Sequence, residues 1–398
     1  MDAVTTTHET ETLAAYRARL ADFLAASAPA HLYADSVAYR PASNAELADW
    51  ERACWQAGFW GVTWPTAYGG HGLTMRHHLV ANEEIGRLAL PPSVNSIGKE
   101  LVGPIILKAG SEAQKQEFLP RILSMDDIWC QGFSEPGAGS DLARLRTKAV
   151  KIDGGWRIDG QKTWTSYADR ASHCLLLART GTVEDRHKGL VLFAVPMTTP
   201  GIEARPIAQM TEAEGFCETF FSGVEVPDDA LVGAEDGGWA AAVSVLSVER
   251  ATNRMYRGMR FENELRHLIR TLKTAPSLAP RLEDGAVRVR LAALWRDMEV
   301  VKANARDVVE RIMAGAEVGE YGSFIKLHWS EAHQRLGAFA LELLSGARET
   351  DDPDVARARA RFEAQYLEDR AATIYAGTSE IQLGIIADRI LRLPRTSR

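Results

Sequence analysis

The spacing of apolar and polar positions changes character twice along the 398-residue chain. Five stretches near the start repeat apolar residues at helical spacing: Glu11 to Ala26, Asn44 to Gly58, Met75 to Ala89, Ser96 to Ala109 and Ser111 to Ser124. Ser111 followed by Gln114 predicts a capping box at the start of the last of these. From Ile128 to Gly233 the apolar runs are short and β-like, as in CLLLAR, GLVLFAVPM and ETFFSGVEVP, and Gly, Pro and Asp interrupt them. Helical spacing then returns over Gly238 to Arg270, Ala286 to Ala314, Ser323 to Ser345, Val355 to Ala372 and Glu380 to Arg392. Pro276 with Pro280 marks one break in this last third, and Asp351 to Asp354 another. The order predicts an α+β protein with domains over 1–127, 128–235 and 236–398.

Composition narrows the function classes. A hydrophobic fraction of 46% is ample for a core, and a net charge of −7 argues against a nucleic-acid surface. No apolar run reaches the roughly eighteen residues of a membrane span. The opening MDAVTTTHETET is acidic and resembles neither a signal nor a transit peptide, so a cytoplasmic location is expected. Cys54, Cys130, Cys174 and Cys217 form no CxxC pair and read as reduced thiols. His77 and His78 are adjacent, but no histidine spacing matches a ligand motif, so no metal is expected.

The chemistry concentrates between Ile128 and Ser166. In FSEPGAGSD, Gly137 and Gly139 free the backbone N–H groups to approach a ligand, and Ser134 and Ser140 add hydroxyls. The turn is neither a GxGxxG fingerprint nor a P-loop, and it is one glycine short of a nucleophile elbow. By itself it is an ordinary Gly/Pro turn. What alters that reading is Trp164 with Thr165 and Ser166, which a hairpin over Lys151 to Ile158, tipped by Asp153 to Gly155, would carry back towards the turn. An indole beside hydroxyl donors suits the face and edge of a large planar, anionic ligand such as a flavin.

SEPGAGSDLA followed by GQKTWTS resembles the acyl-CoA dehydrogenase family of flavoproteins. EAQKQEFLPRIL, GWAAAVSVLSVER and YAGTSEIQLGIIADRILRLPR extend the resemblance to nearly the whole chain. It implies the acyl-CoA dehydrogenase-like fold: an N-terminal helical domain, a middle β domain and a C-terminal four-helix bundle. It also implies FAD as cofactor and dehydrogenation of an acyl-CoA or acyl-carrier thioester to the trans-2-enoyl thioester. Electrons would pass to an electron-transfer flavoprotein. A homodimer or homotetramer is implied, or a heteromer with a related subunit.

Carried over by position, Phe133 and Ser134 would contact the flavin ring, with Gly139 in the same turn, and Ser140 would lie between pyrophosphate and substrate. Trp164 would cover the ring, with Thr165 beside it and the Ser166 hydroxyl at N5. Thr378, Ser379 and Glu380 would meet the adenosine and phosphate portion. Ala376 stands where many members carry the carboxylate base, in YAGTS rather than YEGTS; its N–H, beside Gly377, would still serve the thioester carbonyl. The base then falls to Glu249, in the Glu-Arg pair that isovaleryl-type members use, with Arg250 near the thioester and CoA. Read from the helix alone, Glu249 is a solvated carboxylate before it is a base.

Two departures stand out. No RxFG…Q pattern lies between Arg257 and Ala314, and LLSGARETDDPD replaces the family's QxxGG segment. Similar departures occur in the bacterial branch whose members handle branched, cyclic or steroid acyl-CoAs. Two other readings therefore remain open: a non-catalytic or half-site subunit of a heteromer, and a flavin oxidase or monooxygenase of the same fold.

Overall fold

A computed structural model describes residues 11–33, 42–91, 93–212, 215–243, 255–345 and 352–394. Glu249, Arg250, the part of the Gly238 to Arg270 stretch between 244 and 254, and the middle half of LLSGARETDDPD, 346–351, lie outside the described residues. The first helices are α1 (Leu13–Ser27), α2 (Asn44–Gln56), α3 (Met75–Arg87), α4 (Gly103–Ala109) and α5 (Glu112–Leu123). Seven strands follow: β1 (Trp129–Gly132), β2 (Lys148–Ile152), β3 (Gly155–Ser166), β4 (His173–Arg179), β5 (Leu190–Pro196), β6 (Ile202–Pro206) and β7 (Phe216–Pro227). The later helices are α6 (Arg257–Thr274), α7 (Gly285–Met313), α8 (Tyr321–Leu344), α9 (Pro353–Asp369) and α10 (Ser379–Ile385).

The helix starts obey the local chemistry. Ser111 and Gln114 form the expected capping box on α5, and Ser43 with Glu46 forms another on α2. The helix expected over Ser96 to Ala109 is observed, with a π-helical turn at Gly98–Val102 leading into α4. Asn95 occupies the approach to that turn, and its amide donates to the carbonyls of Ile122 and Asp127 while its oxygen accepts from Trp129 N at 3.0 Å. One buried side chain thus fixes where β1 starts.

The chain divides into two compact units. One comprises 43–72 and 92–249 and holds the sheet. Its strand order is β1-β4-β2-β3-β7-β6, with β5 on the other side of β4. β1 runs parallel to β4, with Cys130 opposite Cys174, whereas β2–β3, β3–β7, β4–β5 and β6–β7 are antiparallel. β4 is buried on both faces: Leu175 and Leu177 pack with Ile106, Leu119 and Ile122 of the helices, and Cys174, Leu176 and Ala178 pack with Phe193 and Val224. That period-two division is what strand geometry requires.

The other unit comprises 1–42, 73–91 and 250–398. Its core runs through Leu265, Leu268, Met298, Val308, Leu336, Phe339 and Phe362 of the helices α6 to α9. Within it lies a buried ion cluster. His333 of α8 meets the Glu264 carboxylate at 2.7 Å through Nε2 and that of Asp369 at 2.9 Å through Nδ1, and its ring stacks on Phe261. Burial works against the imidazolium, but the two carboxylates outweigh it and push His333 up to about 9.

Candidate active site

The glycine turn is built from below by two buried cations. Glu135 and Ala138 exchange backbone hydrogen bonds of 3.1 and 3.0 Å, which makes Pro136 and Gly137 the tip. Lys162, fully buried on β3, donates to the Phe133 carbonyl at 3.1 Å and to Glu135 Oε1 at 2.8 Å. The Glu135 carboxylate also accepts Arg146 N at 2.6 Å and Thr147 N at 2.8 Å. Burial disfavours its charge, but the Lys162 ammonium and these donors hold it below the usual carboxylate range. Burial pulls Lys162 down from the ordinary lysine range, against the opposing pull of the Glu135 carboxylate.

Arg179, at the end of β4, does the same for the exit of the turn. Its guanidinium donates to the carbonyls of Ala143, Leu145, Thr182 and Arg186 at 2.6, 3.0, 2.6 and 2.8 Å. These donations tie the segment after Ser140 to the loop that precedes β5.

The upper side of the turn is bare. A Cβ added at Gly137 or Gly139 would meet no described residue within 4 Å, and Gly139 and Ser140 are exposed. Ser134 is half-buried, and its carbonyl accepts Thr163 N at 2.9 Å, which brings β3 against the turn as the hairpin reading expected. Phe133 by contrast is buried in the helix-side core, so it floors the site. The β3–β7 ladder is irregular between Lys162 and Thr165, and Trp164 takes φ +58° there. The irregularity turns its indole outward, 58% exposed, edge-on to Phe216 at 6.1 Å. A large apolar ring held outward by strained backbone is a surface waiting for a planar partner. Thr165 is fully buried, and its hydroxyl has no hydrogen-bond partner among the described residues; Ser166 is half-buried.

The second group of candidates sits at the start of α10. Ala376 and Gly377 both have left-handed φ, +54° and +94°. The fully buried Gln382 amide donates to their carbonyls at 2.9 and 3.1 Å and so sets the planes of both peptides. Thr378 caps α10 by accepting Ile381 N at 3.3 Å, and Ser379 N donates to the Thr373 carbonyl. Glu380 is exposed, and its own backbone N–H and the Thr378 hydroxyl hold its carboxyl below the ordinary range. Lys162, Arg179 and Gln382 were not among the sequence candidates. Nothing in the local spacing marks any of them as buried; the structure does.

The donor set fits FAD. The bare glycine turn offers N–H and hydroxyl groups to anionic edges, and the outward indole of Trp164 offers a ring-sized apolar face. Among the described residues no group of His, Cys, Asp and Glu is arranged to hold a metal, and no helix is long and apolar enough to cross a membrane.

A β domain flanked in sequence by helices, carrying a glycine turn under an exposed indole, has the features of a flavin-dependent dehydrogenase. Residues 10–126, 130–224 and 236–391 match the acyl-CoA dehydrogenase N-terminal, middle and C-terminal domains. The chain is 36% identical to acyl-CoA dehydrogenase IpdE1 of Mycobacterium tuberculosis over 88% of each chain. It is 30% identical to acyl-CoA dehydrogenase FadE29 of the same organism, over 85% of this chain and 86% of that one. Among solved structures it is similar to the Tcur3481-Tcur3483 steroid ACAD, with TM-score 0.83 and 26% identity over 97% of this chain and 99% of that one. The chain belongs to the acyl-CoA dehydrogenase family. It is a flavoprotein oxidoreductase that uses FAD to dehydrogenate an acyl-CoA.

Proposed function

We propose that the chain introduces a trans-2,3 double bond into a branched, cyclic or steroid-derived acyl-CoA, with Glu249 as the base. The observation that carries the base assignment is Ala376: the left-handed corner before Gly377, Thr378 and Ser379 bears a methyl group where many relatives bear a carboxylate. Abstraction of the α proton needs a carboxylate within about 3 Å in a dehydrated site. Glu249 then takes that proton, and Arg250 beside it orients the thioester and CoA. The backbone N–H of Ala376, in a peptide frame that Gln382 steadies, polarises the thioester carbonyl so that the α proton becomes acidic enough to remove.

FAD, when bound, would supply the hydride-accepting chemistry. Trp164 would cover its ring, with Phe133, Ser134 and Gly139 along it. Thr165 would line the same strand, and Ser166 would donate to the ring. Ser140 would stand between cofactor phosphates and substrate. Thr378, Ser379 and Glu380 would hold the adenosine and phosphate portion. The electrons would pass on to an electron-transfer flavoprotein.

The substrate class draws support from the steroid named for one structural neighbour and from the missing RxFG…Q and QxxGG patterns. The missing patterns also favour assembly with a related second chain, as in the ChsE4-ChsE5 complex of Mycobacterium tuberculosis, to which the fold is similar at TM-score 0.80 and 26% identity.

The test is anaerobic titration of the purified yellow protein with short, branched, cyclic and steroid-side-chain acyl-CoAs. Bleaching by one ring-bearing substrate, slowed about 10²-fold or more by Glu249→Gln with flavin retained, is the expected result. Unchanged bleaching in that variant moves the base elsewhere. A colourless chain that turns yellow only with a related subunit identifies a half-site. A yellow protein that every thioester leaves oxidised points to oxidase chemistry.

A further inference from the structure

Immediately after the glycine turn, the segment 141–148 presents cations on one side only. Leu142, Ala143, Leu145 and Thr147 are buried, while Arg144, Arg146 and Lys148 are exposed. The alternation is enforced from beneath. Arg144 N donates to the Asp141 carbonyl at 3.1 Å, Arg146 N and Thr147 N are held by Glu135, and the carbonyls of Ala143 and Leu145 are held by Arg179. Arg179 N also donates to the Thr147 carbonyl at 2.8 Å. The backbone bearing these side chains is therefore pinned at nearly every residue.

What distinguishes the two arginines is the lack of counter-charge. On the same unit Lys151 pairs with Asp228, Arg157 with Asp159, Arg186 with Asp141 and Arg205 with Glu203. Among the described residues no carboxylate lies within ion-pair distance of Arg144 or Arg146. Asp141, the acid of the segment, is already taken by Arg186 at 2.9 Å. Lys148 faces Asp159 across the β2–β3 rung, so the surplus rests on the two arginines. In a chain of net charge −7, this is a fixed patch of positive charge one 3₁₀ turn from Ser140.

We propose that Arg144 and Arg146 bind the phosphate groups of the coenzyme A carrier, its 3′-phosphate and pyrophosphate, and thereby select a CoA thioester over a pantetheine thioester lacking them. The inference rests on the reading of Ser140 as lying beside the substrate. It adds a recognition site for the part of the substrate remote from the reacting carbons. Guanidinium forks match phosphate oxygens in pairs, and a pre-ordered backbone lowers the entropy lost on engaging them. An acidic protein surface is the rival occupant, and it would act on electron transfer rather than on flavin reduction.

The experiment compares the flavin-loaded protein with its Arg144→Gln/Arg146→Gln variant, and with Arg157→Gln as a control of equal type on β3. Calorimetric binding of free CoA and of pantetheine, which needs no turnover, is measured alongside anaerobic bleaching by an acyl-CoA and by the matching acyl-pantetheine. The expected result is a roughly tenfold weaker binding of CoA and a similar rise in KM for the acyl-CoA, with pantetheine forms unaffected and the difference shrinking at high salt. Arg157→Gln should leave all four measurements unchanged. Equal behaviour of variant and parent towards CoA overturns the proposal, even if bleaching proceeds normally. Loss of CoA binding supports it even if no thioester bleaches the flavin, so its fate is separable from that of the proposed reaction. If reduction by acyl-CoA is intact and only transfer to the acceptor protein fails, the arginines are a docking surface and the proposal is overturned.

Discussion

Two residues apart on β3, Lys162 and Trp164 divide the work of the site between building it and using it. Lys162 has no exposed surface, and its ammonium donates to the turn: to the Phe133 carbonyl and the Glu135 carboxylate. Replacing it with Met leaves a buried carboxylate with two backbone donors but without the ammonium paired to it, a loss on the order of 3 kcal/mol. Urea unfolding of the flavin-free Lys162→Met variant should show that loss; an unchanged midpoint would mean that Glu135 is satisfied by Arg146 N and Thr147 N alone. Trp164, 58% exposed, contributes little to the fold. Trp164→Ala should leave the urea midpoint within about 0.5 kcal/mol of the parent, as for other surface changes, while shifting the visible spectrum of bound flavin. An identical spectrum would remove the indole from the ring. The sequence made Trp164 legible because an aromatic among hydroxyls is unusual. It hid Lys162, since a lysine in GQKTW reads as solvent-facing until the opposing Glu135 is known, and that partner lies 27 positions away.

At the scale of elements, periodicity located the helices and five of the seven described strands, leaving out the short β1 and β6, and the departures have local causes. The stretch Ser96 to Ala109 is helical throughout, as its spacing predicts, but it carries a π-helical turn over Gly98–Val102 beside Asn95, which meets Ile122, Asp127 and Trp129 at once. Spacing cannot report a constraint set by three distant backbone groups. Likewise the stretch Glu380 to Arg392 is helical only to Ile385 before a π-helical turn over Ile386–Ile390. The start of α10 depends on a partner that no pattern announces. Gln382 joins the carbonyls of Ala376 and Gly377, and a Cβ added at Gly377 would come within 2.4 Å of its Nε2. Gln382→Leu removes both donations from two left-handed peptides, and the loss should be about 1–3 kcal/mol of local stability. Hydrogen exchange of the amides from Ala376 to Glu380 is the readout. Faster exchange there with the rest of α8 and α9 unaffected is expected; uniform protection would show that the corner holds itself.

For the molecule as a whole, the sequence told the order of helical and β regions but not how the chain is partitioned. The two compact units draw on segments far apart, with α3 joining α6 to α9 rather than its neighbours α2 and α4. Long-range partition of this kind is decided by which apolar faces match. The helical unit carries its own charge centre, and it yields the pH prediction. His333 is faced by Glu264 and Arg260 of α6, by Gln365 and Asp369 of α9, and by the ring of Phe261. Because its pKa rises on folding from 6.5 to about 9, the folded state binds the proton more tightly than the unfolded chain. The stabilisation is therefore complete below about pH 6.5 and is lost as the pH climbs through about 9; its size is roughly 3 kcal/mol. Hydrogen exchange in α6, α8 and α9 should thus lose protection between pH 7 and 10 beyond the ordinary base-catalysed trend. The excess should vanish in His333→Gln, whose amide cannot titrate and whose stability at pH 6 should already be lower. If parent and variant follow parallel pH trends, the cluster is held by packing against Phe261 and not by charge.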